Sequence, residues 1–206
     1  MNIVKKYAIS AIIGLIVGVL TLMGQSFLPI NLNFLANSGA IWLIPAFLFS
    51  FFVKGNKLNS VLVTVICLLG CVYGYYVFEA IYNQHPFHIT EGALMWSVIA
   101  LLAGSIFGIG AYFAKQENSK LKYCGMNLLP AVFASEGISH ILHIADYLHM
   151  VPAVIMKIVI GCILYFVINR RDAVKGKNLF SFGTITALGV IAYEALFLGM
   201  SLISSY

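Results

Sequence analysis

Charge is what this chain has least of. Asp, Glu, Lys and Arg together make up 9% of its 206 residues, against about 25% in soluble domains. That deficit excludes a soluble globular fold. It also leaves nucleic-acid binding without support, because the net charge of +5 has another origin, given below. The connections 31–37, 83–91 and 146–149 contain no Lys or Arg, and no histidine follows His149. A Walker motif, an H-E-x-x-H pair, a Rossmann glycine fingerprint and a G-x-S-x-G elbow are all missing, so any ATP-derived energy would come from a separate ATPase subunit. The cysteines, Cys67, Cys71, Cys124 and Cys162, lie in or near apolar stretches or on the basic side, and no extracellular disulfide framework is expected.

Apolar residues fill the gap, at 61% of the chain. A span needs about 20 of them. Seven candidates occur, at 7–29, 36–53, 60–83, 92–114, 126–147, 150–169 and 179–204. The expected fold is all-α, a polytopic bundle of about seven transmembrane helices forming one integral membrane domain over 1–206. Lys5 and Lys6 precede the first span; Lys54 and Lys57 follow the second; Lys115, Lys120 and Lys122 the fourth; Arg170, Arg171, Lys175 and Lys177 the sixth. Cytoplasmic loops collect Lys and Arg, which predicts the N-terminus inside and the C-terminus outside. The expected location is the cytoplasmic (inner) membrane of a bacterium, with the first helix uncleaved. The polar segment 29–39 reads as a loop that could re-enter the membrane over a cavity.

Small residues four apart mark close helix contacts: Gly14 and Gly18, Gly70 and Gly74, Gly104 and Gly108. Internal packing explains such pairs. A second reading applies to Ala11, Gly14 and Gly18, whose smooth face would suit docking of a partner membrane protein.

Ionisable groups in a membrane are costly and normally face a bundle interior or a wet cavity. At about 1.5 Å of rise per residue, Glu136 falls near the membrane middle. Glu194 and His140 lie roughly 20 Å from the basic side, with His143 and Glu79 farther out, and Lys157 comes down roughly 10 Å from the other side. These groups are expected to meet in one outward pocket. Glu136, His140 and His143, at i, i+4 and i+7, share a helix face, and carboxylate with imidazole suits a divalent metal such as zinc. A structural Glu136–Lys157 ion pair is the competing reading. In the loop beyond the third span, His85, His88 and Glu91 are read as solvated, with gating of the pocket or a surface metal site as the sharper alternatives. Tyr73, Tyr76 and Tyr193 sit deep enough to wall a pocket for an organic cation or a flat ring, whereas Tyr82 and Trp96 fit an interfacial aromatic belt.

The stretches LANSGAIWLIPAFL (35–48) and GYYVFEA (74–80) resemble a family of bacterial multi-spanning membrane proteins of roughly this length whose function is not established. More loosely, the embedded bundle, the outward polar site and the small-residue face of the first helix resemble the substrate-binding S components of energy-coupling-factor transporters. That resemblance implies a transporter coupling subunit and an ATPase as partners. Glu136, Ser139 and His143 superficially resemble the E-x-x-S-x-x-x-H segment of progestin-receptor-like and hemolysin-like membrane hydrolases. That family also carries a His pair in its last helix, which this chain does not. The leading expectation is a small-solute binding and transport protein for a cationic or metal-containing ligand. Glu79, Glu136, His140, Glu194, Lys157, Tyr73, Tyr76 and Tyr193 would line the site. A metal-dependent intramembrane enzyme using Glu136, His140 and His143, and a membrane sensor or structural partner subunit, are the alternatives.

Overall fold

Long apolar runs fold as helices because hydrocarbon offers backbone N–H and C=O groups no other partner. The computed structural model describes residues 2–29, 32–33, 36, 38–117, 119–146 and 148–204. The described residues form seven α-helices: α1 (Ile3–Phe27), α2 (Gly39–Phe52), α3 (Lys57–Tyr82), α4 (Glu91–Ala114), α5 (Lys122–Leu142), α6 (Val151–Ile168) and α7 (Gly176–Ser204). Two 3₁₀ turns, Ile144–Asp146 and Leu148–Met150, join α5 to α6. The expected fifth span therefore stops at Leu142 rather than 147. Five helices are long and apolar enough to cross a membrane; α2 is apolar but short, at 14 residues. Of the segment expected to re-enter, residues 30, 31, 34, 35 and 37 lie outside the described residues.

α5 falls outside that group of five because it is the polar axis of the bundle. Asn127, Ser135, Glu136, Ser139 and His140 are all buried on it. It packs against α2, α4, α6 and α7. On the other side α1, α3 and α4 form a second layer, with α1 and α4 each lying along α3. Glycines set these approaches. A Cβ on Gly14 or Gly18 would strike the Cys67 or Cys71 carbonyl of α3, and one on Gly104 or Gly108 would lie 2.8 or 2.6 Å from the Cα of Val65 or Val61.

The face of Gly14 and Gly18 is thus filled by α3, and Ala11 lies on the same seam, its carbonyl 2.9 Å from a Cβ built on Gly70. The docking reading of Ala11, Gly14 and Gly18 is corrected accordingly: Gly70 and Gly74 of this chain occupy the clearance meant for a partner.

The lysines gather at one end of the bundle, where they close open carbonyls. Lys115 donates to the carbonyls of Ser50 (2.8 Å) and Val53 (3.0 Å), and Lys6 donates to that of Lys54 at 2.5 Å. Cations suit a helix C-terminus, which carries partial negative charge. Lys122 pairs with Glu117 at 2.9 Å, and Lys175 bonds to Asp172, holding that carboxyl below its usual range.

Below this basic end three buried amides form a ring. Asn127 donates to Asn178 Oδ1 (2.8 Å), Asn178 to Asn169 Oδ1 (3.0 Å) and Asn169 to Asn127 Oδ1 (3.0 Å). Their second amide protons go to the backbone carbonyls of Asn178, Asp172 and Tyr165 respectively. The ring ties α5, α6 and α7 together with every amide proton used.

Candidate functional site

The Glu136 carboxylate is held from two helices besides its own. Lys157 of α6 donates to Oε1 at 2.9 Å, and Ser38, the N-cap of α2, donates to Oε2 at 2.6 Å. Lys157 is 0% exposed and Glu136 5%. A negative charge is also favoured at the α2 N-terminus, so carboxylate, ammonium and helix end offset one another in a dry core. His140 turns back to its own helix, with Nδ1 2.6 Å from the Glu136 carbonyl oxygen, and Tyr193 stands near the carboxylate from α7.

Glu194 belongs to a different cluster. Its oxygens accept from Ser139 Oγ at 2.6 Å and pair with His143 Nε2 at 2.7 Å, and His143 stacks on Phe197 with centroids 5.0 Å apart. The Glu194 and His143 side chains are about one-third exposed. The expected single cavity of Glu136, His140, Glu194 and Lys157 is therefore corrected to two pairs, Glu136 with Lys157 buried and Glu194 with His143 about one-third exposed. The metal set is corrected as well. Glu136 faces Lys157 and Ser38, His140 faces a carbonyl and His143 faces Glu194. Among the described residues no three His, Cys, Asp or Glu side chains could hold a metal ion.

A cavity of about 70 Å³ lies at the end of the bundle opposite the lysines, lined by Thr21, Gln25, Ala36, Ser38, Gly39, Trp42, Tyr75, Tyr76 and Trp96. Four rings dominate it. The Trp42 centroid is 5.7 Å from that of Trp96 and 6.4 Å from that of Tyr75, and Tyr75 meets Tyr76 edge-on at 5.1 Å. The rings are pinned by α1: Trp42 Nε1 donates to Thr21 Oγ1 and the Tyr75 hydroxyl to Gln25 Oε1, both at 2.8 Å. A glycine admits Tyr76: a Cβ on Gly92 would lie 2.6 Å from its hydroxyl. Counting residues from the ends of α3 and α4, Tyr76 and Trp96 sit roughly 8–9 Å below the rim. Ser38 belongs both to the cavity wall and to the Glu136–Lys157 pair, so the pair underlies the cavity.

Glu79, one turn above Tyr75 and Tyr76 on α3, places its carboxylate near both hydroxyls. α3 ends at Tyr82, and Gln84 takes a left-handed conformation (φ 55°). That turn brings His85 back to within 3.5 Å of Glu79, which also accepts from Asn83 at 2.8 Å. Of the tyrosines expected in the pocket, Tyr76 lines the cavity. Tyr73 is 37% exposed on the outer surface of α3, and Tyr193 is at Glu136 instead. Trp96, read as belt, faces Trp42 in the cavity. Thr21, Gln25, Ser38 and Trp42 escaped the sequence reading, while Tyr75 stood among the third-span aromatics weighed as a pocket wall. The available signal was the polar pair Thr21 and Gln25, one turn apart near the end of an otherwise apolar first span.

Fold and site together define a polytopic α-helical membrane protein with an aromatic cavity over a buried ion pair. The chain belongs to a family described as "Family of unknown function (DUF6518)", whose model matches residues 1–199. No curated protein and no solved structure matches it.

Proposed function

We propose that this protein is a small-solute binding and transport protein whose ligand is a small organic cation held in the cage of Trp42, Trp96, Tyr75 and Tyr76. The cage carries the reading: four aromatic rings around one cavity offer a cation the negative faces of their π-systems. Glu79 and Glu91 stand at the same end with no Lys or Arg among the described residues there except buried Lys157, so the local field draws cations. On this reading the basic end is cytoplasmic by the positive-inside rule. The chain crosses seven times in a bacterial cytoplasmic membrane, N-terminus inside and C-terminus outside, and the cavity opens outward. The Glu136–Lys157 pair forms the base of the site rather than its contact surface. A metal ligand and a metal-dependent reaction are set aside, because the donors they would use are committed to other partners.

Both tryptophans of the chain line the cavity, so intrinsic fluorescence reports on it directly. Titrating the protein in nanodiscs with a panel of methylated and unmethylated amine salts is expected to give a saturable change in tryptophan emission. Tyr76→Leu should weaken it about tenfold, a typical cation–π contribution. Emission that follows ionic strength alone, identically for every amine and for sodium chloride, would overturn the proposal.

A further inference from the structure

We infer that the α6–α7 connection is a binding site for the head group of an anionic phospholipid, independent of what the aromatic cavity holds. The amide ring builds it. Asn169 ends α6 and Asn178 lies in the first turn of α7, and the 3.0 Å bond between their side chains ties the two helix ends together. The connection is also held from within. The Tyr165 hydroxyl donates to the Ala173 carbonyl, and Asn178 Nδ2 to that of Asp172. Arg170 and Lys177, the chain neighbours of the two asparagines, therefore leave the ring at one level, and both are exposed.

Their charges are uncommitted. The two carboxylates at this end, Glu117 and Asp172, are paired with Lys122 and Lys175, and Arg171 stands near Glu117. Arg170 and Lys177 make no side-chain hydrogen bond or ion pair among the described residues. The space beside them is open, since a Cβ on Gly176 would meet nothing within 4 Å. A guanidinium presents paired donors that match a phosphate, and an ammonium adds a point charge.

What lies beneath the cations identifies the carrier of that phosphate. Phe166, four residues before Arg170, is 61% exposed, and Phe180, three after Lys177, is 77% exposed. α6 runs toward the basic end and α7 away from it. Both rings therefore lie roughly 4–6 Å nearer the membrane middle than the cations, at about 1.5 Å of rise per residue. α6 and α7 pack on α5 rather than along each other, which leaves these rings open to lipid. Charge above and apolar rings below match a phospholipid, with its phosphate on the cations and its acyl chains on the rings. Basic segments beside spanning helices attract anionic lipids. A free phosphate would use the cations and leave the rings idle.

The test is native mass spectrometry of the full chain in detergent, titrated separately with dioleoylphosphatidylglycerol and dioleoylphosphatidylcholine. Phosphatidylglycerol is expected to bind about tenfold more tightly. Arg170→Gln with Lys177→Gln should remove that preference. Lys5→Gln with Lys54→Gln deletes equal charge from the same end of the bundle and should leave it intact. Arg170→Lys keeps the charge, loses the fork and should weaken phosphatidylglycerol severalfold with unchanged melting, so a misfolded double variant would not stop the test. Equal affinity for the two lipids, or equal losses from the two double variants, overturns the site. Displacement of the lipid by millimolar glycerol 3-phosphate overturns the lipid as its occupant, because the phosphate would then be read without the acyl chains.

Discussion

A single carboxylate decides how the interior of this bundle is organised. Glu136 has Lys157, Ser38 and the first turn of α2 around it, an arrangement that holds a charge without water. Removing one partner strands the other: Glu136→Leu leaves an ammonium and Lys157→Met a carboxylate, each expected to cost about 3–5 kcal/mol. The double variant removes both charges at once and should recover most of that loss. Thermal melting in detergent of the two single variants and the double measures it. Losses that simply add would mean that the two side chains do not act as a pair. Sequence spacing made the candidates visible, because charged residues inside apolar runs stand out. It could not say which charge meets which, since Glu136, Lys157 and Glu194 sit on three helices whose mutual rotation depends on packing.

Helices here are joined by two different kinds of seam, and only one of them was legible beforehand. The α1–α3 seam is built on small residues, and Gly14, Gly18, Gly70 and Gly74 announced it by their spacing. Their partner within the chain was left open, and α3 turns out to fill the place once considered for another protein. Replacing Gly14 and Gly18 by Leu should prevent that approach. We expect aggregated or poorly folded protein by size-exclusion chromatography, and a monodisperse, normally melting double variant would remove the seam from the account. The α5–α7 seam is polar and holds one register throughout. Asn127 meets Asn178, Ser135 Oγ donates to the Thr186 carbonyl at 2.9 Å, and His143 meets Glu194. The offset is 51 residues at each, as parallel helices starting from the same end require. Isolated Asn and Ser residues in separate spans carry no mark of this pairing, which is why the amide ring was not read. The aromatic cavity was hidden for a related reason: Trp42 and Trp96 look like ordinary interfacial rings until three helices bring them together with Tyr75.

At the scale of the whole molecule, the lysines mark one end and the cavity the other. Lys6 reaches Lys54, Lys115 reaches Val53, and Asp172 with Lys175 caps the far side of the same end. If that end is cytoplasmic, a reporter inserted at Asn118 should score as internal and one fused after Tyr206 as external. The same compartment for both would break the seven-span topology. The apolar residues left uncovered, such as Ile155, Phe166, Phe180 and Leu188, are those that lipid would contact. The amide ring also bears on how the protein is made. Asn127 and Asn169 are synthesised and inserted before Asn178 exists, so α5 and α6 enter the membrane with half-satisfied amides that only the last helix completes. A chain truncated within the α6–α7 connection would leave both Nδ2 protons of Asn127 and the Oδ1 of Asn169 without the partners that Asn178 gives them. The polar interior is therefore closed only once the final helix is in place.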